Sequence, residues 1–181
     1  MVNDAYRAAD IISRIRAMAS HTKVQLQLMD LNACVEESVL FLQHELRSQR
    51  IQLELDLTPG LPPLLADRTQ LQQVLINILV NAMQALSGKT TNGSKTVPGI
   101  HIQSLLADQH HLQLQISDNG PGIMPDHLPH IFDSFFTTKS AGMGMGLLIC
   151  RSIIEALGGT IEAKNNENGA GACFALLLPL N

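Results

Sequence analysis

Two asparagines four residues apart interrupt an otherwise apolar segment of the chain. Asn77 and Asn81 have helical spacing, so their side chains project from one face of a helix, one turn apart. A buried amide without a partner costs about 1–3 kcal/mol, so each side chain requires one. One interpretation is a helix cap or a hydrogen bond to a neighbouring loop. The other is a site for a hard cation and phosphate oxygens, because an amide oxygen is a suitable ligand for Mg²⁺.

Two glycine-containing segments follow. The first is Asp118–Ile123, Asp-Asn-Gly-Pro-Gly-Ile, directly after a predicted strand, where an ordinary turn is the alternative. In the second, Gly142, Gly144 and Gly146 alternate with methionine and lead into a helix. That arrangement offers backbone N–H groups and the positive end of the helix dipole to an anion, although a hinge would also use glycine. A dinucleotide fingerprint and a P-loop are excluded, since the βαβ unit and the Gly-Lys-Ser/Thr sequence are missing.

Three phenylalanines lie between the two glycine segments. Phe132, Phe135 and Phe136 precede Thr137, Thr138 and Lys139 in a stretch without regular periodicity. The rings are interpreted either as a local core or as a patch that docks on the body of the domain when a ligand arrives. Lys139 is interpreted as a solvated charge or a phosphate contact.

The composition is that of one globular domain and excludes several classes of function. The chain has 181 residues, 45% of them hydrophobic, and a net charge of −4. Neither a basic field nor a set of stacking rings is available for nucleic acid, with five phenylalanines, one tyrosine and no tryptophan. The three cysteines form no C-x-x-C pair, so neither a disulfide framework nor a zinc site is expected. Since no apolar stretch is long enough for a membrane span, we expect a cytoplasmic domain without direct membrane contact.

Hydrophobic periodicity predicts three complete helices and five strands after an amphipathic N-terminal segment. The predicted elements are a helix over Ala8–Ala19; a helix capped by Asn32 and ending near Gln49; a half-buried strand Ile51–Leu57; a helix capped by Asp67 or Thr69 and ending near Leu86; strands Ile100–Ala107 and Leu112–Ser117, as a hairpin; a helix Leu147–Leu157; and strands Thr160–Lys164 and Ala172–Leu178. This order is not a strand-helix alternation. It predicts an α+β fold, a two-layer α/β sandwich whose mixed, mostly antiparallel sheet is covered by helices on one face.

In their order along the chain, these motifs resemble the four nucleotide-binding boxes of sensor histidine kinases. The matching residues are Asn77 and Asn81; Asp118-x-Gly120-x-Gly122; Phe132, Phe135, Phe136, Thr137, Thr138 and Lys139; and Gly142-x-Gly144-x-Gly146-Leu147. The similarity covers about Asp30 to Pro179 and is greatest to the nitrogen-regulation and oxygen-sensor kinases. It implies the Bergerat-type ATP-binding fold that is shared with gyrase, Hsp90 chaperones and mismatch-repair ATPases.

The resemblance implies that ATP and Mg²⁺ are bound. Asp118 would accept a hydrogen bond from the adenine amino group, Asn81 would ligate the metal, and Asn77 would lie at the phosphates. Asn77, Asn81 and Lys139 are the residues implied in catalysis. The residues implied to contact the nucleotide are Asn77, Asn81, Asp118, Gly120, Gly122, Ile123, Phe132, Thr138, Lys139, Gly142, Gly144, Gly146 and Leu147.

The resemblance also implies a domain division and a set of partners. Residues 1–22 resemble the end of the dimerisation and phosphoacceptor hairpin, and residues 23–181 the catalytic ATP-binding domain. The γ-phosphoryl group would pass to a histidine of that hairpin, upstream of Met1, and then to an aspartate of a response-regulator receiver domain. The full-length protein would be a homodimer, whereas the present chain would be a monomer unable to phosphorylate itself. A membrane-anchored and a soluble parent protein remain alternatives.

Two sequence features qualify the resemblance. His44-Glu45-Leu46-Arg47 is similar to the start of a phosphoacceptor motif, but it lies in the first helix of the catalytic domain, lacks the following proline and precedes a strand, so we do not interpret His44 as the phosphoacceptor. Gln84 and Ala85 replace a lysine-tyrosine pair that some members of the resembled family place at the phosphate and adenine.

Two alternative functions remain, a nucleotide-dependent interaction module and a gyrase- or Hsp90-like ATPase. The ATPase needs a base where this chain has Asn77, an amide.

Overall fold

The computed structural model describes residues 24–87, 97–138, 143–167 and 170–180. The predicted helix over Ala8–Ala19, the segment 1–22, Lys139 and Gly142 lie outside these ranges. The elements are β1 (Gln27–Met29), α1 (Leu31–Ser48), β2 (Gln52–Leu57), β3 (Leu64–Ala66), α2 (Arg68–Leu86), β4 (Gly99–Leu106), β5 (His111–Asp118), a 3₁₀ turn (Leu128–His130), α3 (Gly146–Ala156), β6 (Thr160–Asn165) and β7 (Ala172–Pro179).

A five-stranded mixed sheet in the order β2-β4-β5-β7-β6 forms one layer. Strands β2 and β4 are parallel, and the other neighbouring pairs are antiparallel. The predicted β4–β5 hairpin is confirmed, with Ile102 opposite Ile116. The predicted fold class is therefore confirmed, and the parallel pair is the element that makes the sheet mixed.

The core lies between the sheet and the three helices. Along β5, Leu112, Leu114 and Ile116 are buried, whereas the intervening glutamines are half-exposed. Helix α2 contributes one continuous buried stripe against this face and packs against both other helices. Strand β2 alternates as predicted, but Leu55 is 41% exposed because β2 is an edge strand that has a neighbour on one side only. Within the described ranges, no helix has the length and apolar character needed to cross a bilayer.

A small second sheet was not predicted. Strands β1 and β3 pair antiparallel over three residues each, a length that is too short to show a periodic pattern.

The predicted cap of α1 was wrong by two residues. Asp30 is the cap, and its Oδ1 accepts from the backbone N–H groups of Asn32 and Ala33 at 2.8 and 3.3 Å. Asn32 instead donates to the carbonyl of Thr58 at 2.8 Å and accepts from the Ser104 hydroxyl at 2.7 Å. The predicted cap Asp67 of α2 is confirmed.

Two buried thiols make the stability of the fold sensitive to alkaline pH. Burial raises the pKa of Cys34 from 9.0 to about 11 and that of Cys150 from 9.0 to about 12. Above about pH 9 the unfolded thiols ionise while the folded ones stay protonated, so the free energy of unfolding should fall as pH rises toward 11. Urea denaturation at about pH 8 and about pH 10 measures this change. Replacing both cysteines by alanine should reduce the difference between the two pH values, and an equal difference would contradict the prediction.

Candidate functional site

One face of helix α2 contacts both glycine segments. The amide nitrogen of Asn77 donates to the carbonyl of Gly146 at 3.5 Å. Two turns further along, Ala85 lies against Gly120, where an added Cβ would be 3.4 Å from the Ala85 methyl group. Asn81 is half-buried on the same face between these two contacts. At 1.5 Å per residue, the contacts are about 12 Å apart along the helix.

A buried carboxylate lies at the end of this face that contacts Gly120. Strand β5 ends at Asp118, which is 6% exposed. Its Oδ1 accepts from the backbone N–H of Gly120 at 2.7 Å and from that of Ala172 at 3.5 Å. A Cβ on Gly120 would lie 2.7 Å from the same oxygen, so only glycine allows this approach. The carboxylate is thus held in one orientation at the strand end, where it can accept hydrogen bonds from a ligand.

The residues after Asp118 are held by the turn between β6 and β7. Gly122 has a φ of +78°, and a Cβ there would lie 2.8 Å from Oδ1 of Asn165. Asn165 bonds both the N–H and the carbonyl of Ile123, each at 2.7 Å. Asn166 donates to the carbonyl of Asp118 at 2.8 Å. Sequence reasoning missed both asparagines; their only sequence signal is an Asn-Asn pair ahead of a glycine-rich turn, a common pattern in surface hairpins.

The second glycine segment packs against the phenylalanine segment. Gly144 has a φ of +65°, and an added Cβ would overlap the backbone carbonyl group of Phe135. Phe132 and Phe136 are half-buried against the core. Phe135 is 73% exposed and has a φ of +64°. Two of the rings thus join the core and one lies in solvent, and the docking of this segment on a bound ligand stays a prediction.

Helix α3 begins at Gly146 with Met145 at the cap position, and no side chain in the described part of the molecule caps it. The other two helices are each capped by an aspartate. Uncapped N–H groups at a helix start attract an anion, and the helix dipole adds to that attraction. Leu147, in the first turn, is half-buried and packs on the core. A helix start whose uncapped N–H groups suit an anion therefore lies next to Asn77.

The structure brings together most of the residues singled out in the sequence. Asn77 meets Gly146 at one end of the α2 face, and Asp118, Gly120, Gly122 and Ile123 form the other end. Thr138 is exposed at the limit of a described range. Within the described ranges, no three histidine, cysteine or acidic side chains converge as a metal site would require. A cation here would therefore need the amide oxygen of Asn81 together with oxygens of the ligand, a set of hard donors that suits Mg²⁺.

His44 lies on the exposed side of α1. Its predicted place in the first helix of the domain is confirmed. The side chain of Gln84 is exposed, and that of Ala85 faces Gly120.

A family model and curated proteins match nearly the whole chain between them. The model for histidine kinase-, DNA gyrase B-, and HSP90-like ATPases matches residues 66–181. The sensor protein FixL of Bradyrhizobium diazoefficiens is 37% identical over 175 residues, which cover 97% of this chain and 33% of that protein. The chain spans about a third of the length of the curated relatives it matches.

Solved structures match the same architecture. The nucleotide-free catalytic domain of the histidine kinase ThkA matches with a TM-score of 0.74 and 31% identity, covering 86% of this chain and 95% of that one. ThkA in complex with the response regulator protein TrrA matches with a TM-score of 0.79 and 28% identity, covering 99% of this chain and 49% of that one. The similarity is thus one of overall fold, and it extends over most of the chain.

Proposed function

Because the chain belongs to the histidine kinase-, DNA gyrase B- and HSP90-like ATPase family, we propose that it binds Mg²⁺-ATP and donates the γ-phosphoryl group to a histidine. One observation carries the proposal. A single helix face contacts a buried carboxylate end at Gly120 and an uncapped helix start at Gly146. Such a face suits an extended ligand with a base at one end and phosphates at the other.

The carboxylate end fits adenine. Asp118 is buried and fixed by Gly120, so it can accept a hydrogen bond from the 6-amino group without a cost of reorientation. Hydrogen bonds to charged groups contribute about 1.5–3 kcal/mol. Gly120 and Gly122 let the backbone pass close to the ring, and Ile123 supplies an apolar wall.

The helix-start end fits the phosphates. Gly146 opens α3 and Gly144 precedes it, so backbone N–H groups rather than side chains face the anion. Asn81 would hold Mg²⁺ through its amide oxygen, and the bound ion would neutralise phosphate charge. Lys139 and Gly142 remain predicted phosphate contacts from the sequence.

The side chain at position 77 favours phosphoryl transfer over hydrolysis. Hydrolysis needs a group that orients or deprotonates water, and the Asn77 amide is a poor base. This amide also donates to the carbonyl of Gly146. A histidine acceptor is itself a nucleophile, so the chain has to contribute positioning and charge neutralisation.

The acceptor and the partners follow the family pattern in this proposal. The acceptor is a histidine on a dimerisation hairpin whose last part corresponds to residues 1–22, ahead of a catalytic domain over residues 23–181. A receiver domain then takes the phosphoryl group, as the response-regulator complex of the similar kinase ThkA suggests. The full-length protein acts as a homodimer with this domain in the cytoplasm.

The test joins this chain to its native hairpin and supplies Mg²⁺-ATP that is radiolabelled in the γ-phosphate. We expect acid-labile, alkali-stable label that disappears when the hairpin histidine is replaced by glutamine. ATP binding without label would favour the interaction module. Rapid turnover by the present chain alone would favour the gyrase-like ATPase.

A further inference from the structure

We propose that Asn165 and Asn166, at the end of β6, are positioning residues that set the adenine selectivity of Asp118. The inference rests on the proposed function and names residues outside the four family boxes. Both asparagines reach across to the segment 118–123 from more than forty positions away in the sequence.

Asn165 fixes the backbone of Ile123, the apolar wall of the proposed adenine site. Its Oδ1 accepts from the N–H of Ile123 and its Nδ2 donates to the carbonyl of the same residue, both at 2.7 Å. The side chain thus satisfies both backbone groups of Ile123, as a neighbouring strand would. The wall residue is fixed at a defined distance from the β6–β7 hairpin.

Asn166 fixes the backbone of Asp118. Its Nδ2 donates to the carbonyl of Asp118 at 2.8 Å and to that of Ala170 at 2.9 Å. Gly171 passes so close to Asp118 that any Cβ would overlap the same carbonyl. The backbone of Asp118 is therefore fixed between the hairpin turn and the end of its own strand.

These contacts bear on selectivity because the carboxylate orientation depends on the backbone that carries it. Gly120 and Ala172 position Oδ1 from two sides. A displaced carbonyl at Asp118 would shift the carboxylate relative to Ile123, and a directional hydrogen bond weakens steeply when its angle departs from linearity. A contact to phosphate at the other end of α2 would be unaffected.

A merely structural role makes a different prediction. Losing a pair of part-buried hydrogen bonds would lower the free energy of unfolding and reduce the affinity for every nucleotide to the same degree. A positioning role would reduce the affinity for ATP selectively. Inosine triphosphate is the suitable probe, because it has the same ribose and phosphates but carries a carbonyl group where adenine has the amino group.

The experiment measures the dissociation constants of the Mg²⁺ complexes of ATP and inosine triphosphate by calorimetry, for the native chain and for Asn165→Ala and Asn166→Ala. We expect each variant to lose about fivefold to tenfold of the preference for ATP, with inosine triphosphate binding nearly unchanged. Asn32→Ala is the matched control, since it also loses a 2.8 Å amide-to-carbonyl bond and a 2.7 Å acceptor bond. It should keep the native preference.

Asn165→Asp keeps the acceptor for the Ile123 N–H and replaces the donor by an oxygen that repels the Ile123 carbonyl. It should lose the preference for ATP, as Asn165→Ala does, and the melting temperature of each variant checks that it stays folded. Equal losses for both nucleotides, or an unchanged preference in folded variants, would overturn the positioning role and leave the proposed function standing. If the native chain binds neither nucleotide, both the proposed function and this inference fail.

Discussion

Asp118→Asn should reverse the base preference of the site while the chain stays folded. The asparagine keeps an oxygen that can accept from the N–H groups of Gly120 and Ala172, as Oδ1 does now. Its second group becomes a donor, which opposes the adenine amino group and suits the carbonyl of inosine. Losing a charged acceptor costs about 1.5–3 kcal/mol, so ATP affinity should fall between about tenfold and about a hundredfold.

Thermal shift and calorimetry with both nucleotides measure this reversal. Asp56→Asn is the matched control, because Asp56 is an exposed residue of the sheet that bonds Gln103. It should leave both affinities unchanged. Asp118→Ala is the poorer variant, since it would also leave two buried backbone N–H groups without this acceptor. An unchanged ATP-dependent rise in melting temperature in Asp118→Asn would contradict the assignment of the adenine end.

The small side chain of Ala85 increases the part that Asp118 has in the proposed recognition of adenine. Ala85 faces Gly120 with a methyl group only. No ring is available for stacking at position 85 of this chain. In the proposed function, adenine selectivity therefore depends on the directional contact at Asp118 and on aliphatic walls such as Ile123.

The parts of the fold that sequence reasoning predicted are those with a repeated local pattern. Strand β5 alternates through Leu112, Leu114 and Ile116, and helix α2 carries an apolar stripe with asparagines on another face. Local sequence chemistry also singled out Asp118, because an acidic residue and two glycines follow a strand directly, but the pattern left an ordinary turn as the alternative, and the adenine role was implied by the family resemblance. These signals extend over a few residues and do not depend on the rest of the chain.

The parts that were missed depend on residues distant in sequence. Strands β1 and β3 are three residues long, and they exist only as each other's partner. Asn165 and Asn166 have ordinary sequence surroundings, and their roles follow from the pairing of β7 with both β5 and β6. The cap of α1 was misjudged because Asn32 and Asp30 are both good capping residues, and the contact of Asn32 with Ser104 decided between them.

Phe135→Asn should lower phosphoryl transfer to the hairpin by about tenfold or more while ATP affinity stays within about twofold. The Phe135 ring is 73% exposed in solvent, and its φ of +64° is in the left-handed region. That conformation costs an ordinary residue about 1–2 kcal/mol, whereas asparagine adopts it more readily. The substitution therefore removes a strained, exposed ring without opening the core, and the free energy of unfolding should stay level or rise.

Phe135 is the ring at which an effect on docking can be measured without an effect on folding. Phe132 and Phe136 pack on the core, so replacing them would mix effects on folding, nucleotide binding and transfer. Phe41→Asn is the matched control, since Phe41 on α1 is also 73% exposed. It should leave transfer unchanged. The decisive comparison uses the hairpin-bearing protein, with ATP affinity and transfer rate measured on the same samples. Equal losses of both in Phe135→Asn would mean that this ring supports the nucleotide site itself, and an unchanged transfer rate would mean that the exposed ring does not dock on the histidine helix.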